Sequence, residues 1–358
     1  MTYCIGFRTE QAVFLIADSL ITETKKNKQL ENIFGRFTTT GRLLEHDKYT
    51  FAENVQKVRM LTDGVLITFA TNDVDRTLEA LDTMKGYIGD DTSLIKDILP
   101  TMLEGLEETE LLFSYSENGE PKLFSYNLDK KRCIKEHEVG EIVAIGSGKS
   151  YPTLIQESEK FIKKSINHIE DNPEDLLTHV LAGLTSFMNS SELLSLLQYQ
   201  IGGNLLGGYV NGKTSHIMKD TMYLFYAIVN GKLNIKNELS ILNSSRMSLL
   251  FSNFEEGNDG NFIGYLKDKK LNNEDIKEEY TTLIGDYLKG KAEYIVGIDV
   301  YKKGYFLCKQ KDYPNFKFRS FDAASLKIQV GLPPAVVDKI EDSYNKSSLF
   351  SGGYRINL

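Results

Sequence analysis

Residue 2 of this chain is a threonine, directly behind Met1. Methionine followed by a small residue is normally trimmed during synthesis, which would leave Thr2 as the first residue. Its hydroxyl and its own α-amino group would then lie within hydrogen-bonding reach, directly or through one water. An α-amino group has a reference pKa of ~7.7–8.0, so near neutrality much of it is available as a base. A threonine hydroxyl beside a terminal amine is one way of activating a poor nucleophile. The plain alternative for Thr2 is the loose first residue of a strand.

A second stretch with chemical content is "VAIGSGKSYP", Val143 to Pro152. Its "GSGKS" has the look of a phosphate-binding P-loop, which would make the chain an NTPase. Such a loop needs glycine four positions before the Gly-Lys pair, so that backbone N–H groups wrap the phosphates. That position is Val143, inside an apolar run. Pro152 is tolerated only in the first turn of a following helix. "YIVGID", ending at Asp299, would imitate the partner strand but lies about 150 residues away. The favoured reading is a Gly-Ser-Gly turn closing a strand.

Forty-two basic and fifty acidic residues among 358 give a net charge of −8. That balance argues against a general nucleic-acid binder, which needs a basic stripe to neutralise phosphates. No apolar run approaches the ~20 residues that span a bilayer, and the amino terminus lacks the pattern of a signal peptide. Three cysteines (Cys4, Cys133, Cys308) show no disulfide rhythm and five histidines no metal-binding spacing. The expectation is a cytoplasmic protein with no metal and no cofactor.

The elements that must position these residues follow from hydrophobic period and turn chemistry. "TYCIGFR" and "AVFLIAD" read as two strands joined by a tight connection, the second ending at Asp18. Ser19 to Asn54 reads as loop or irregular ribbon, and Gln56 to Thr71 as a second hairpin. Asn72 or Asp73 caps a helix, "VDRTLEALDTMKGYI", and Asp91 or Thr92 caps another, bent or broken at Pro100. Strands return in "ELLFSYS", "KLFSYNL", "RCIKEHEV" and "EIVAIG". Helices are expected over Pro152–Ile166 and Pro173–Met188, then a β region from about Tyr199 to Ile235 with "NG" turns at Asn211 and Asn230. The wholly apolar runs suggest a strand layer covered by helices on both faces. From Lys236 the pattern becomes irregular.

Taken together, these stretches resemble the N-terminal nucleophile (Ntn) hydrolases of the proteasome β-subunit and HslV type, and especially the bacterial Anbu group. "MTYCIGFR…AVFLIADS" is similar to that family's start, with Asp18 sixteen residues after Thr2. "NVQKVRML…GVLITFAT" resembles the segment carrying its catalytic lysine, which implies Lys57. "AIGSG" resembles its strand-to-helix turn, which implies a supporting role for Ser147. The resemblance covers roughly residues 2 to 210. It implies an α+β fold, a four-layer αββα sandwich, over residues 2–235, with a C-terminal α/β extension of open role over 236–358. It implies a threonine peptidase in which Thr2 attacks an amide carbonyl. Lys57 lowers the proton affinity of the amine and hydroxyl, Asp18 keeps Lys57 charged, and a main-chain N–H near Thr71 or Asn72 faces the oxyanion. It also implies a homo-oligomeric ring or open spiral acting on peptides or unfolded protein. The sequence is silent on an unfoldase partner. Each residue also has a bland reading: Asp18 as a strand-end turn former, Lys57 as a solvated lysine, Ser147 as a turn serine.

The chain departs from the family pattern in two places. Thr71 and Asn72 stand where the family has glycine. The family's Asp-x-x-Ser-Gly-Gly has its closest match in "QYQIGG", with Gln198 and Ile201 replacing acid and serine, and a second in "LFSGG", which keeps Ser351. A catalytically degenerate, assembly-only member is therefore the alternative. Intact-mass measurement is expected to find the chain without Met1; retention of Met1 would end the terminal-nucleophile reading.

Overall fold

The computed structural model describes residues 2–19, 21–24, 49–52, 56–89, 91–106, 108–127, 133–169, 172–189, 201, 205–243, 247–252, 261–266, 269–271, 292–299, 304–312, 318–322, 327–330, 332–347 and 354–357. The fold is of the α+β class, with antiparallel sheets and five α-helices among the described residues. By internal contacts it divides into two compact units. The first comprises Met1–Thr22, Val55–Leu181 and Leu194–Met218; the second comprises Glu23–Asn54, Ala182–Leu193 and Lys219–Leu358. The boundary expected at residue 235 runs through a single strand, Lys232–Asn243.

The chain opens with a hairpin, β1 (Tyr3–Arg8) and β2 (Ala12–Asp18). Its turn is set by Thr9, whose Oγ1 accepts the N–H groups of Gln11 and Ala12 at 3.3 and 3.1 Å. In the stretch expected as loop, β3 (Ile21–Thr24) and β4 (Tyr49–Ala52) pair as a two-stranded sheet. A second hairpin follows, β5 (Val58–Thr62) and β6 (Val65–Ala70), as the turn residues Asp63-Gly64 predict. Asp73, rather than Asn72, caps α1 (Val74–Ile88): its carboxylate accepts the Arg76 N–H at 3.1 Å. Asp91 caps a 3-10 turn that leads into α2 (Ile95–Met102), and this helix ends two residues past Pro100.

Next come β7 (Glu110–Glu117), β8 (Glu120–Asn127), β9 (Cys133–His137) and β10 (Ile142–Gly146). Asn118 and Gly119 both have positive φ, the tight two-residue turn that "NG" announces. Helices α3 (Pro152–Ile166) and α4 (Pro173–Asn189) follow, then β11 (Leu205–Asn211) and β12 (Thr214–Ile217). Asn172 caps α4 by accepting the Glu174 and Asp175 N–H groups at 3.0 and 3.3 Å.

In the first unit two five-stranded sheets form, ordered β10-β1-β2-β11-β12 and β5-β6-β7-β8-β9. Cys4, Val13, Leu15 and Ala17 of one meet Val58, Leu66, Leu112 and Leu123 of the other in a single buried cluster. This explains the wholly apolar "AVFLIA" differently from the expectation: one face of β2 meets a second sheet, not a helix layer. The far face of the second sheet takes Leu81, Met84 and Ile88 of α1 and Ile95 and Leu99 of α2. Each such side chain contributes about 1.5–3 kcal/mol by leaving water. On the other sheet, Tyr3 donates its hydroxyl to Ser158 of α3 at 2.9 Å, and Gly207 of β11 lies under Leu177 and Leu181 of α4.

The second unit is more regular than its sequence pattern suggests. Strands β13 (Thr221–Val229), β14 (Lys232–Asn243), β15 (Met247–Ser252), β16 (Asn261–Leu266) and β17 (Lys269–Leu271) form an antiparallel meander. β18 (Tyr294–Asp299) runs parallel to β13, and β19 (Gly304–Lys309) pairs with β18. After the short pair β20 (Phe318–Asp322) and β21 (Lys327–Val330) come α5 (Pro334–Ser347) and β22 (Tyr354–Asn357). β22 completes an eight-stranded sheet ordered β17-β16-β15-β14-β13-β18-β19-β22. Glu341 of α5 accepts both Lys232 Nζ and the Leu233 N–H, each at 2.9 Å. No helix among the described residues is long and apolar enough to cross a membrane.

Burial separates the three cysteines. Cys4 and Cys308 are buried, which pushes both thiols up to about 12, whereas Cys133 is exposed. Brief iodoacetamide treatment of the native protein near pH ~8, where thiolate content decides the rate, is expected to alkylate Cys133 alone. Peptide mass mapping reads the result, with Cys4 and Cys308 modified only after denaturation.

Candidate active site

The site grows out of the register of the first hairpin. Cys4 faces Ala17 across β1 and β2, so Tyr3, next to Thr2, comes alongside Asp18 at the end of β2. The Tyr3 N–H donates to Asp18 Oδ1 at 3.1 Å. Asp18 is fully buried, and an isolated carboxylate there would neutralise rather than remain charged.

Its counterion is Lys57. This lysine precedes β5, so the second sheet delivers it, and Nζ lies 2.8 Å from the same Asp18 Oδ1. Lys57 is 1% exposed. The expectation of a buried lysine paired with Asp18 matches this arrangement, while the bland reading of a solvated strand lysine does not. Two buried charges cost several kcal/mol each in lost hydration, repaid only by close pairing and further hydrogen bonds. The Tyr3 N–H is such a bond. It ties the ion pair to the peptide unit that joins Thr2 to Tyr3.

The Gly-Ser-Gly turn closes on the same peptide from the other side. β10 pairs with β1 so that Gly146 faces Tyr3. Gly146 has φ +80°, and a Cβ built there would lie 2.0 Å from the Thr2 carbonyl oxygen and 3.0 Å from Ala70 Cβ. No other residue type fits without moving backbone. Ser147 Oγ and the Gly148 N–H both donate to the Thr2 carbonyl, each at 3.4 Å. Ser147 thus meets the Thr2 carbonyl. Thr2 itself is buried, 4% exposed. Lys149, the lysine of the P-loop-like motif, forms an ion pair with Glu110, and a 3-10 turn over Ser147–Ser150 precedes α3.

Thr71 and Asn72 follow β6, whose last residue, Ala70, sits beside Gly146. The Thr71 hydroxyl is held in a buried cluster, 2.8 Å from Thr109 Oγ1 and 3.0 Å from Thr77 Oγ1, and accepts the Asp73 N–H at 3.1 Å. The β-branched side chain is therefore turned into the protein by its own hydrogen bonds. Asn72 is exposed and donates its side-chain amide to Glu108. Ile201 is buried, whereas Gln198 and Ser351 lie outside the described residues.

Cys4 lies close by but is chemically quiet. It donates to the Phe69 carbonyl at 3.3 Å and accepts from Thr68 Oγ1 at 3.3 Å. Burial raises its thiol to about 12 although Lys57 opposes the shift. Sequence reasoning missed Glu110, which is 6% exposed and accepts the Gly146 N–H at 2.8 Å. A single acid opening a strand carries no local signal. The threonine cluster was equally silent, because Thr71, Thr77 and Thr109 meet only through tertiary packing. Among the described residues there is no group of three or more His, Cys, Asp or Glu able to hold a metal. No protein-family model and no curated protein matches this chain.

The ion pair makes a quantitative expectation. Lys57→Met leaves the Asp18 carboxylate buried without its cation and is expected to cost about 3–5 kcal/mol in denaturant unfolding. Adding Asp18→Asn should recover part of that loss. A Lys57→Met cost below about 1 kcal/mol, the value of an exposed pair, would show that the pair is solvated.

Proposed function

We propose that the chain is a threonine peptidase of the proteasome-like Ntn-hydrolase type, with Thr2 as nucleophile once Met1 is removed. The observation that carries this reading is the buried Lys57–Asp18 pair at 2.8 Å, bonded through Asp18 to the peptide that follows Thr2. A buried ammonium beside a terminal threonine favours the deprotonated amine and hydroxyl. The finer fold reading, a four-layer αββα sandwich, draws on the two facing sheets with α1 and α2 on one outer side and α3 and α4 on the other. The reading also takes the protein to be a cytoplasmic homo-oligomer, a ring or an open spiral, acting on peptides or unfolded chains.

In this mechanism the Thr2 hydroxyl oxygen bonds to the substrate amide carbon while its proton passes to the α-amino group. The tetrahedral oxyanion takes a main-chain N–H in the Thr71–Asn72 segment. As the C–N bond breaks, the amine product leaves with that proton and an ester to Thr2 remains. Water then adds to the ester, giving its proton to the α-amino group. The C–O bond to Thr2 breaks, the hydroxyl is restored, and the carboxylic acid departs. Lys57, held in place by Asp18, presents its ammonium to these transfers.

A second reading, an assembly protein without catalysis, draws on the burial of Thr2 and on Thr71 and Asn72 standing where the resemblance calls for glycine. A peptide epoxyketone separates the two, because it captures hydroxyl and amine of a terminal threonine together. The expected result is a single adduct on Thr2, lost in Thr2→Ala. Labelling that survives Thr2→Ala, or none on protein lacking Met1, would overturn the peptidase reading.

A further inference from the structure

We infer that Glu110 is a positioning residue for Thr2, holding the Gly146–Ser147–Gly148 turn against the Thr2 carbonyl through the Gly146 N–H. This rests on the reading of Thr2 as nucleophile. Glu110 opens β7 and pairs with Ala70 at the end of β6, so it belongs to the second sheet. Gly146 ends β10, an edge strand of the first sheet. An edge strand has N–H groups with no neighbouring strand to take them. Here the acceptor comes from the facing sheet: Glu110 Oε2 accepts the Gly146 N–H at 2.8 Å.

The other carboxylate oxygen, Oε1, pairs with Lys149 Nζ. One carboxylate therefore grips both ends of the turn, Gly146 at its start and Lys149 three residues on. Between those grips lie the Ser147 hydroxyl and the Gly148 N–H, the two donors to the Thr2 carbonyl. Both are 3.4 Å from it, near the outer limit of a hydrogen bond, so a small shift of the turn releases Thr2. The grip is tight on the other side too, since Gly146 has no room for a Cβ against the Thr2 carbonyl and Ala70. Glu110 is only 6% exposed, and both its carboxyl oxygens are engaged by donors, as a buried polar group requires. Positioning of a nucleophile to within about 1 Å is worth on the order of 100-fold in rate, which is the scale at stake.

The test separates hydrogen-bond reach from charge, using the epoxyketone inactivation rate constant and its binding constant measured separately. Glu110→Asp keeps the charge but shortens the arm by one methylene; Glu110→Gln keeps the reach and an acceptor oxygen. The maximal inactivation rate is expected to fall on the order of 100-fold in Glu110→Asp, with inhibitor binding unchanged within about twofold. Glu110→Gln is expected to recover most of that rate. Lys149→Met, at a half-exposed position that tolerates the change, is expected to lower the rate about tenfold with binding unchanged, and supplies the reading if Glu110→Asp does not fold. The inference fails if folded Glu110→Asp inactivates at the wild-type rate, if Glu110→Gln is the slower of the pair, or, where Glu110→Asp does not fold, if Lys149→Met matches wild type. Absence of labelling in the wild-type protein lacking Met1 would instead remove the nucleophile reading, and this inference with it.

Discussion

The arrangement around residue 2 depends on one buried ion pair. Lys57 and Asp18 are delivered by different sheets, and both are almost fully buried, so each charge depends on the other to offset its lost hydration. Their pairing requires that β2 end at Asp18, that β1 run beside it with Tyr3 opposite, and that the second sheet begin immediately after Lys57. A one-residue slip of the hairpin would send Asp18 to the other face of its sheet and leave the ammonium stranded. The pair therefore fixes how the two sheets register at this end. Nonspecific apolar contacts such as Leu15 against Leu66 could not do this, because they tolerate sliding.

Around that pair the first unit is a sequence of close approaches. Tyr3 hands its N–H to Asp18 and its hydroxyl to Ser158, so one residue ties the ion pair to α3. Gly146 and Gly148 let the backbone of β10 and its turn come against Thr2 and Tyr3 with no side chain between. The Thr71, Thr77 and Thr109 hydroxyls do for the end of β6 what Glu110 does for the end of β10. Each replaces a loose strand end with a fixed one, and both ends lie beside Thr2.

Much of this was legible in the chain. Apolar runs and the Asn-Gly and Asp-Gly turns located the strands of the first unit. Two helix starts were located to within a residue, with Asp73 and Asp91 each one of two candidates, because a capping side chain announces itself locally. Asp18, Lys57 and Ser147 were picked out beside Thr2 through the resemblance to proteasome-like hydrolases; in the fold Asp18 and Ser147 bond the Thr2–Tyr3 peptide unit and Lys57 pairs with Asp18. What was not legible is whatever depends on a partner far along the chain. Apolar β2 reads the same whether helix or sheet covers it, so the second sheet was invisible in it. Glu110 and Thr109 are ordinary residues until tertiary packing sets them against β10 and β6. The strands after Lys236 were obscured because charged stretches such as "KDKKLNNEDIKEE", which contains β17, interrupt the apolar pattern.

The order of the first sheet carries a consequence for folding. β1 lies between β2 and β10, and β2 in turn pairs with β11. The sheet cannot close until Leu205–Asn211 has been synthesised, well over half the chain later. Such long-range pairing is slow to form and follows the local hairpins. Closure of the sheet, and the cover of Gly146 over Thr2, are therefore tied by topology to pairings between distant parts of the chain, so the local hairpins alone do not enclose Thr2.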